Sequence, residues 1–304
     1  MTSPAIETAG LRKAYGRTVA LESLDIRVES GEVFGFLGPN GAGKTTAVKL
    51  LLGLTRPSAG GGSVLGRPLG DLETRRRIGY LPELFRYQAW LTAREVLGLH
   101  ARLGGLDSGQ RHSEIERVLA LVGLEGRGDD RTGGFSKGMQ QRLGLAAALL
   151  GDPSLVILDE PTSALDPVGR EDVRAIIRHA QARGSAVLLN SHLLGEVERL
   201  CDRVAIVNRG RVVAAGALTD LLGQAAVRLR VTGLPDDRAA LVAFGGLEDD
   251  GEGWLVARGL DEERVPDLVA AIVGLGGRVH AVDPGRRSLE DLFLDLVRVP
   301  EAVA

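Results

Sequence analysis

The chain has 304 residues, 44% of them hydrophobic, and its 37 basic and 40 acidic residues give a formal net charge of −3. This length and apolar content suffice for two domains of ordinary size. The sequence lacks the excess of basic residues that is typical of nucleic-acid-binding proteins, so we expect no nucleic acid partner. No apolar run approaches the roughly 18–20 residues of a membrane span. The first residues resemble no secretion signal and Cys201 is the single cysteine, so we expect a cytoplasmic chain.

Short strands are predicted at the start of the chain. Apolar and polar residues alternate over residues 6–28, which predicts three short antiparallel strands. Tyr15 lies at a turn between them, and its aromatic face could stack on a nucleobase. From the residue alone, a core or turn tyrosine is the commoner explanation.

A glycine-rich loop follows the apolar run 33–37 and precedes a predicted helix. The loop consists of Gly38, Pro39, Asn40, Gly41, Ala42, Gly43, Lys44, Thr45 and Thr46. It fits G-x-x-x-x-G-K-[ST], and its position between a strand and a helix is typical of a phosphate-binding loop. Backbone N–H groups and the helix N-terminus would surround phosphate oxygens. Lys44 would reach the β- and γ-phosphates, and the Thr45 hydroxyl would bind Mg²⁺.

The middle of the chain combines a short strand with helices. A strand is predicted over 78–81, followed by Pro82 and Glu83, and helical periodicity runs over 93–124 with a break at Gly104. A further helix is predicted over 143–150, after a polar and glycine-rich segment at 133–142. The aromatic residues near Glu83 have two possible roles: they are core residues, or some of them line a groove for a partner helix. These residues are Tyr80, Phe85, Tyr87 and Trp90.

Two further buried strands end in polar side chains. The apolar run 155–158 ends at Asp159 and Glu160, and the run 186–190 is followed by His192. A helix over 168–183 separates the two strands. Strands that alternate with helices predict a parallel sheet with its ligand at the carboxyl edge. Lys44, Asp159 and His192 would meet at that edge.

The composition changes after Gly223. From residue 225 onward the sequence contains no lysine. Strands are predicted at 227–232, 246–249, 253–258 and 278–282, with helices at 236–244 and 262–275 and a terminal helix at 288–298. The order β-α-β-β-α-β predicts a small α+β domain. We expect this domain to regulate or to mediate contacts, without catalytic residues.

In this order, the motifs resemble those of the ATP-binding subunits of ABC transporters, over about residues 5–220. The resemblance implies an α/β P-loop NTPase fold over 1–222, with a parallel core sheet, an antiparallel β subdomain and a helical subdomain at about 84–153. The C-terminal α+β domain would occupy 225–304.

The resemblance also implies roles for individual residues. Tyr15 would stack on adenine, and Asp159 would hold Mg²⁺ directly or through water. Glu160 would act as the general base and His192 would contact the γ-phosphate, so that with Lys44 they form the catalytic set.

The resemblance further implies an ATP-sandwich homodimer. Ser136 and Gly138 of one copy would bind the γ-phosphate held by the other copy, and Asp166 would contact the facing subunit. The Ser136 hydroxyl and a helix N-terminus form an anion site that a monomer does not need.

Two departures from the family pattern indicate a subgroup. Lys137 stands in a segment where the family has Leu-Ser-Gly-Gly-Gln, and Glu83 replaces the usual Gln as a possible Mg²⁺ ligand. Both departures resemble exporters of the drug-resistance and daunorubicin type, whose permease is a separate chain. The chain is also similar to the ATPase that matures nitrous oxide reductase. The resemblance implies a peripheral protein at the cytoplasmic face of the membrane, bound to an integral permease.

Other classes of protein explain fewer of the motifs. A small-molecule P-loop kinase would share the phosphate loop but would not need Ser136 or His192. An importer ATPase would normally keep Gln and the full consensus. A DNA-repair ABC ATPase would need long heptad arms, and a ribosome-binding one would normally carry two cassettes.

Overall fold

The structure is a computed structural model that describes residues 3–163, 165–223, 226–235, 239–245, 247–250, 253–260, 262–283 and 288–298. It divides into two compact units, Met1–Gly216 and Ala217–Ala304. Within these described ranges, no helix has both the length and the hydrophobicity needed to cross a membrane.

The described residues of the first unit form one sheet of eleven strands. These strands are β1 (Ile6–Tyr15), β2 (Thr18–Leu24), β3 (Arg27–Val28), β4 (Val33–Leu37), β5 (Ala59–Val64), β6 (Arg67–Pro68), β7 (Ile78–Leu81), β8 (Leu155–Asp159), β9 (Ala186–Asn190), β10 (Arg203–Asn208) and β11 (Arg211–Ala217). Their order across the sheet is β6-β5-β1-β2-β11-β10-β4-β9-β8-β7, and β3 pairs with β1.

The sheet has a parallel part and an antiparallel part. Strands β10, β4, β9, β8 and β7 pair in parallel, in that order. Every residue of β4, β8 and β9 is buried, as expected for strands covered on both faces. Strand β1 pairs antiparallel with β2, β3 and β5. The predicted parallel core sheet and antiparallel β subdomain are therefore confirmed.

Helices of the first unit cover the sheet and form a separate helical group. They are α1 (Lys44–Leu51), α2 (Leu72–Arg75), α3 (Ala93–Leu103), α4 (Arg111–Leu121), α5 (Lys137–Ala148), α6 (Pro167–Ala182) and α7 (Leu194–Leu200), with a 3-10 turn at Thr132–Gly134. Helices α3, α4 and α5 contact one another. The predicted start of α5 at residue 143 is wrong, because Ser136 caps a helix that begins at Lys137 by accepting the Met139 N–H at 3.2 Å.

The second unit is a four-stranded antiparallel sheet with helices. Its elements are α8 (Leu218–Leu222), β12 (Ala226–Thr232), β13 (Leu247–Asp249), β14 (Leu255–Arg258), α9 (Val265–Gly274), β15 (Arg278–Asp283) and α10 (Leu289–Arg298), with 3-10 helices at Ala239–Phe244 and Glu262–Arg264. The strand order is β13-β14-β12-β15, and all pairs are antiparallel. The α-helix predicted over 236–244 is wrong in type, since residues 239–244 form a 3-10 helix and residues 236–238 lie outside the described residues. Residue 246, the first of the strand predicted over 246–249, also lies outside them.

The register of the parallel strands determines where their last side chains point. Phe36, Ile157 and Leu188 pack in one core cluster with the apolar residues of α1. Asp159 and Asn190 are register partners, two residues beyond Ile157 and Leu188. Because side chains along a strand alternate between faces, Asp159 and Asn190 lie on the face that α1 covers. This face adjoins the loop that leads into α1.

Candidate nucleotide-binding site

Glycine is required at two positions of the loop between β4 and α1. A Cβ atom on Gly38 would lie 2.3 Å from the Val207 carbonyl oxygen. A Cβ atom on Gly43 would lie 2.5 Å from the Ala20 carbonyl oxygen, and Gly43 has φ of +104°. Such contacts with backbone exclude any larger residue. The loop therefore packs closely against two neighbouring strands and presents bare backbone to a ligand.

Lys44 places its ammonium group against the loop itself. Its Nζ donates hydrogen bonds to the carbonyl oxygens of Gly38 at 2.7 Å and Pro39 at 3.1 Å. Partial burial lowers the pKa of Lys44, while the nearby charges of Glu160, Asp159 and Glu83 act to raise it. No side chain caps α1, and no acidic residue lies in its first turn. The N-terminus of this helix and Lys44 thus form a positive site suited to phosphate.

Asp159 and Asn190 form a buried pair at the ends of β8 and β9. Asp159 is 4% exposed and Asn190 is 2% exposed. Asn190 Nδ2 donates a hydrogen bond to Asp159 Oδ1. Burial raises the pKa of Asp159, against the hydrogen bond from Asn190, and the charges of Glu83 and Glu160 raise it further while Lys44 lowers it. A nearby cation would therefore stabilise the ionised Asp159.

Glu160 is held in a fixed orientation by His192. Glu160 Oε1 accepts the His192 backbone N–H at 2.9 Å, and Oε2 lies 2.8 Å from His192 Nδ1. Glu160 has φ of +54°, a backbone conformation that side-chain-bearing residues rarely adopt, and its N–H donates to the Asn190 carbonyl oxygen at 2.8 Å. Glu160 is 8% exposed, whereas the His192 side chain is 62% exposed. The outer edge of the imidazole remains accessible to a ligand.

The start of α5 is exposed. Ser136 and Lys137 are exposed, and Gly138 lies in the first turn of the helix. Neither Ser136 nor Gly138 hydrogen-bonds to the phosphate loop within the described chain. Asp166 is exposed as well, and its Oδ1 accepts the Gly169 N–H at 2.8 Å as the cap of α6. Ser136, Lys137 and Asp166 are therefore accessible to a partner molecule.

Tyr15 is an exposed residue at the end of β1. It is 48% exposed, and Lys13 Nζ lies 4.8 Å from the centroid of its ring. The same Nζ donates a hydrogen bond to the Arg56 carbonyl oxygen at 2.8 Å. The exposure excludes a fully buried core role for Tyr15 and leaves its ring accessible for stacking.

The aromatic residues near Glu83 differ in exposure. Glu83 is exposed in the segment after β7. The Phe85 ring packs so closely on α5 that a Cβ atom on Gly144 would lie 2.6 Å from it, and the Phe85 and Tyr87 ring centroids are 5.4 Å apart. Trp90 is 69% exposed. The structure therefore favours the packing role for Phe85 and Tyr87, and leaves Trp90 as an exposed aromatic residue.

Motif reasoning misses two buried amide side chains, at Gln141 and Asn190. Gln141 is 8% exposed, and its Nε2 donates to the Pro161 carbonyl oxygen at 2.9 Å, which connects α5 to the segment after Glu160. Asn190 holds Asp159, as described above. The sequence signal for these two residues is weak, since Asn190 is a polar residue at the end of an apolar run and Gln141 lies among other polar residues.

The residues at this edge fit a magnesium ion bound with a nucleotide. Thr45, Asp159 and Glu83 offer oxygen atoms, which Mg²⁺ prefers. The buried Asn190 Oδ1 accepts no hydrogen bond from any residue that the structure describes. Among the described residues, no group of three His, Cys, Asp or Glu side chains could hold a metal alone. Phosphate and water would have to supply the remaining ligands, as is usual for Mg²⁺.

Comparisons with known proteins identify the family. Residues 21–163 match the family described as ABC transporter. An uncharacterised ABC transporter ATP-binding protein of Nostoc sp. is 40% identical over 98% of this chain and 91% of its own length. The Nod factor export ATP-binding protein I of Rhizobium sp. (strain N33) is 41% identical over 71% of this chain and 72% of its own length.

A solved structure supports the same conclusion about the fold. The ATP-binding subunit of an ABC transporter is 35% identical, with a TM-score of 0.66, over 71% of this chain and 91% of that one. Its coverage agrees with the first unit of the present structure. The chain belongs to the ATP-binding subunits of ABC transporters, which are ATPases with the P-loop NTPase fold.

Proposed function

We propose that the chain is the motor subunit of an ABC exporter, which hydrolyses MgATP at the interface of a homodimer and drives a separate membrane permease. The observation that carries the hydrolytic part is the buried Glu160 carboxylate, fixed by His192 beside Lys44. The name of the Rhizobium relative, a Nod factor export protein, supports export over import. Glu83 and Lys137, which depart from the pattern usual in importers, support the same choice.

The catalytic roles follow from the positions of the side chains. Glu160 would accept a proton from the attacking water, because its carboxylate is buried and already oriented. Lys44 would lie against the β- and γ-phosphates, and Thr45 and Asp159 would hold Mg²⁺, with Glu83 as a further ligand. The metal would neutralise phosphate charge when bound. Tyr15 would stack on the adenine ring.

His192 is suited to contact the γ-phosphate through its exposed edge. When Nδ1–H donates to Glu160, a neutral imidazole presents an acceptor at Nε2, which cannot donate to a phosphate oxygen. Contact with the phosphate therefore requires the protonated ring or the opposite tautomer. Either change alters the hydrogen bond to Glu160, so phosphate binding and the orientation of the base are coupled in this arrangement.

A second copy of the chain would complete the site. The exposed Ser136 caps α5, whose first turn contains no acidic residue. This helix start could bind the γ-phosphate held by Lys44 of a partner copy, with Gly138 leaving room for close approach and Lys137 adding positive charge. Asp166 would lie near the same interface. Hydrolysis would then depend on dimer formation.

Permease contact is proposed for the side of the first unit near Glu83. A cavity of about 1180 Å³ lies beside β7, and its lining includes Tyr80, His100, Leu106 and Asp107. Tyr80 precedes the last residue of β7 and stands three residues before Glu83, so closure around the nucleotide could move the cavity wall. Trp90, exposed on the following segment, is the aromatic candidate for an additional contact. This contact would place the protein at the cytoplasmic face of the membrane.

The C-terminal unit is proposed to regulate the ATPase or to mediate contacts. We assign residues 225–304 to this role and 1–222 to nucleotide chemistry. The apolar core around Val227, Leu229 and Leu268 supports an independent structural unit. We assign no catalytic residue to it.

The test of the proposed function is the oligomeric state of Glu160→Gln protein in solution. This variant should bind MgATP but hydrolyse it slowly, so that the dimer accumulates. Sedimentation should show a monomer without nucleotide and a dimer with excess MgATP. Protein that stays monomeric at every accessible concentration would contradict the proposal. An importer ATPase or a non-transport ABC ATPase remains the alternative. Co-purification with a membrane protein, as against ribosomes or DNA, would separate a transporter subunit from a non-transport ABC ATPase.

A further inference from the structure

A buried amide beside the nucleotide site uses only part of its hydrogen-bonding capacity. Asn190 donates from Nδ2 to Asp159 Oδ1. Asn190 Oδ1 is buried as well, but no donor among the described residues reaches it. A buried acceptor without a donor loses its hydrogen bonds to water without replacement, which destabilises the folded chain. Native proteins retain such a group where a ligand, an ion or a water molecule completes it.

The position of Asn190 indicates which ligand this is. Asn190 is the register partner of Phe36 in β4 on one side and of Asp159 in β8 on the other. Strand β4 leads directly into the phosphate loop, and the side chains of this row face α1, which begins at Lys44. The free amide oxygen therefore lies between the phosphate loop and the carboxylate proposed to hold Mg²⁺.

We propose that Asn190 is a positioning residue for the metal-bound nucleotide. Its Nδ2 fixes the Asp159 carboxylate, and its Oδ1 accepts a hydrogen bond from a water molecule on Mg²⁺. The inference rests on the proposed function, since it requires MgATP at this edge of the sheet. Mg²⁺ retains several waters in protein sites, and these waters need acceptors. An amide can donate to Asp159 and accept from such a water without adding a charge beside Asp159, Glu160 and Glu83.

The experiment measures how strongly Mg²⁺ increases nucleotide affinity. The full chain is titrated with the fluorescent analogue TNP-ATP in EDTA and in excess Mg²⁺. The ratio reported is the Kd in EDTA divided by the Kd in Mg²⁺. Asn190→Leu keeps the approximate side-chain volume but removes donor and acceptor. The matched control is Ser185→Ala, because Ser185 is also buried, adjoins the opposite end of β9, and donates to the Pro153 carbonyl oxygen at 2.7 Å.

We expect Asn190→Leu to lower this ratio about tenfold, the effect typical of residues that bind a metal's ligands. If the wild-type ratio is below about ten, the ratio of the variant should fall to one. The Kd in EDTA should stay close to that of the wild type, and Ser185→Ala should keep the wild-type ratio. If Asn190→Leu does not fold, Asn190→Ser, which shortens the side chain, should lower the ratio in the same direction.

Three results would overturn the inference. One is an unchanged ratio in the folded Asn190 variant, and another is a parallel rise of both Kd values, which indicates a purely structural role. The third is an equal loss of the ratio in Ser185→Ala. If the wild-type protein itself binds no nucleotide, the proposed function is refuted. If it binds nucleotide but the Asn190 variant gives one of the three results above, only the inference about Asn190 is refuted.

Discussion

Replacing Glu160 by Gln is expected to separate hydrolysis from binding. Glutamine retains an oxygen that can accept the His192 N–H, now bonded at 2.9 Å, and its amide group can donate to His192 Nδ1. The fold and the orientation of the side chain should therefore persist. What disappears is the ability to accept a proton from water, a contribution of about 10²–10⁴ in rate. Each tenfold loss in rate corresponds to about 1.36 kcal/mol in the barrier, so the substitution should raise the barrier by about 2.7–5.4 kcal/mol.

The assay is phosphate release at saturating MgATP, measured together with ATP affinity and melting temperature. Glu32→Gln is the matched control, because Glu32 is equally buried at 8% but precedes β4 at the amino edge of the sheet. The control should keep the wild-type turnover number. Glu160→Gln protein that hydrolyses ATP close to the wild-type rate would refute the assignment of the base. A loss of ATP affinity equal to the loss of turnover would also contradict it.

Five further variants test the nucleotide site and the aromatic residues near Glu83. Lys44→Ala should weaken ATP binding and abolish turnover, because the positive charge that contacts the transferred phosphate is lost. Lys44→Arg should not restore activity. Nucleotide titration and phosphate release measure both effects. Burial raises the pKa of Asp159 above its ordinary value of 3.8, so the ionised carboxylate destabilises the nucleotide-free protein at neutral pH. Asp159→Asn should therefore raise the melting temperature at pH 7, and this gain should shrink as the pH falls towards 3.8; a gain that grows on acidification would contradict the cited cause. Trp90→Ala should leave the isolated ATPase and its melting temperature unchanged but weaken permease binding, whereas Phe85→Ala should lower the melting temperature because its ring packs on Gly144.

Much of the first unit could be predicted from the sequence because its signals are local. The phosphate loop contains its own glycine pattern, and the buried strands β8 and β9 are continuous apolar runs that end in polar residues. These features depend on neighbours in sequence, so they predict the parallel core and the edge where a ligand binds. The sequence predicts too late a start for α5, because Gly138 and the polar residues around it obscure a helix that the Ser136 cap begins.

The role of Asn190 depends on neighbours distant in sequence, so the sequence alone does not indicate it. Its partners lie on other strands, and only the register shows that Asn190 stands beside Asp159. Phe85 is a similar case, since an aromatic residue in a polar loop suits a groove as well as a core until its contact with Gly144 is seen. In the second unit the four strands follow one another along the chain as predicted, but residues 239–244 form a 3-10 helix, a distinction that apolar periodicity does not make.

The central claim, a catalytic site shared between two copies, is tested most directly by mixing two inactive variants. Lys44→Ala removes the lysine that would contact the phosphates, and Ser136→Glu places a negative charge at the start of α5 that repels phosphate. A mixed dimer contains one site with both defects and one site with neither. We therefore predict that the mixture hydrolyses ATP although each variant alone does not. A mixture with no more activity than the mean of the separate variants would contradict the shared site.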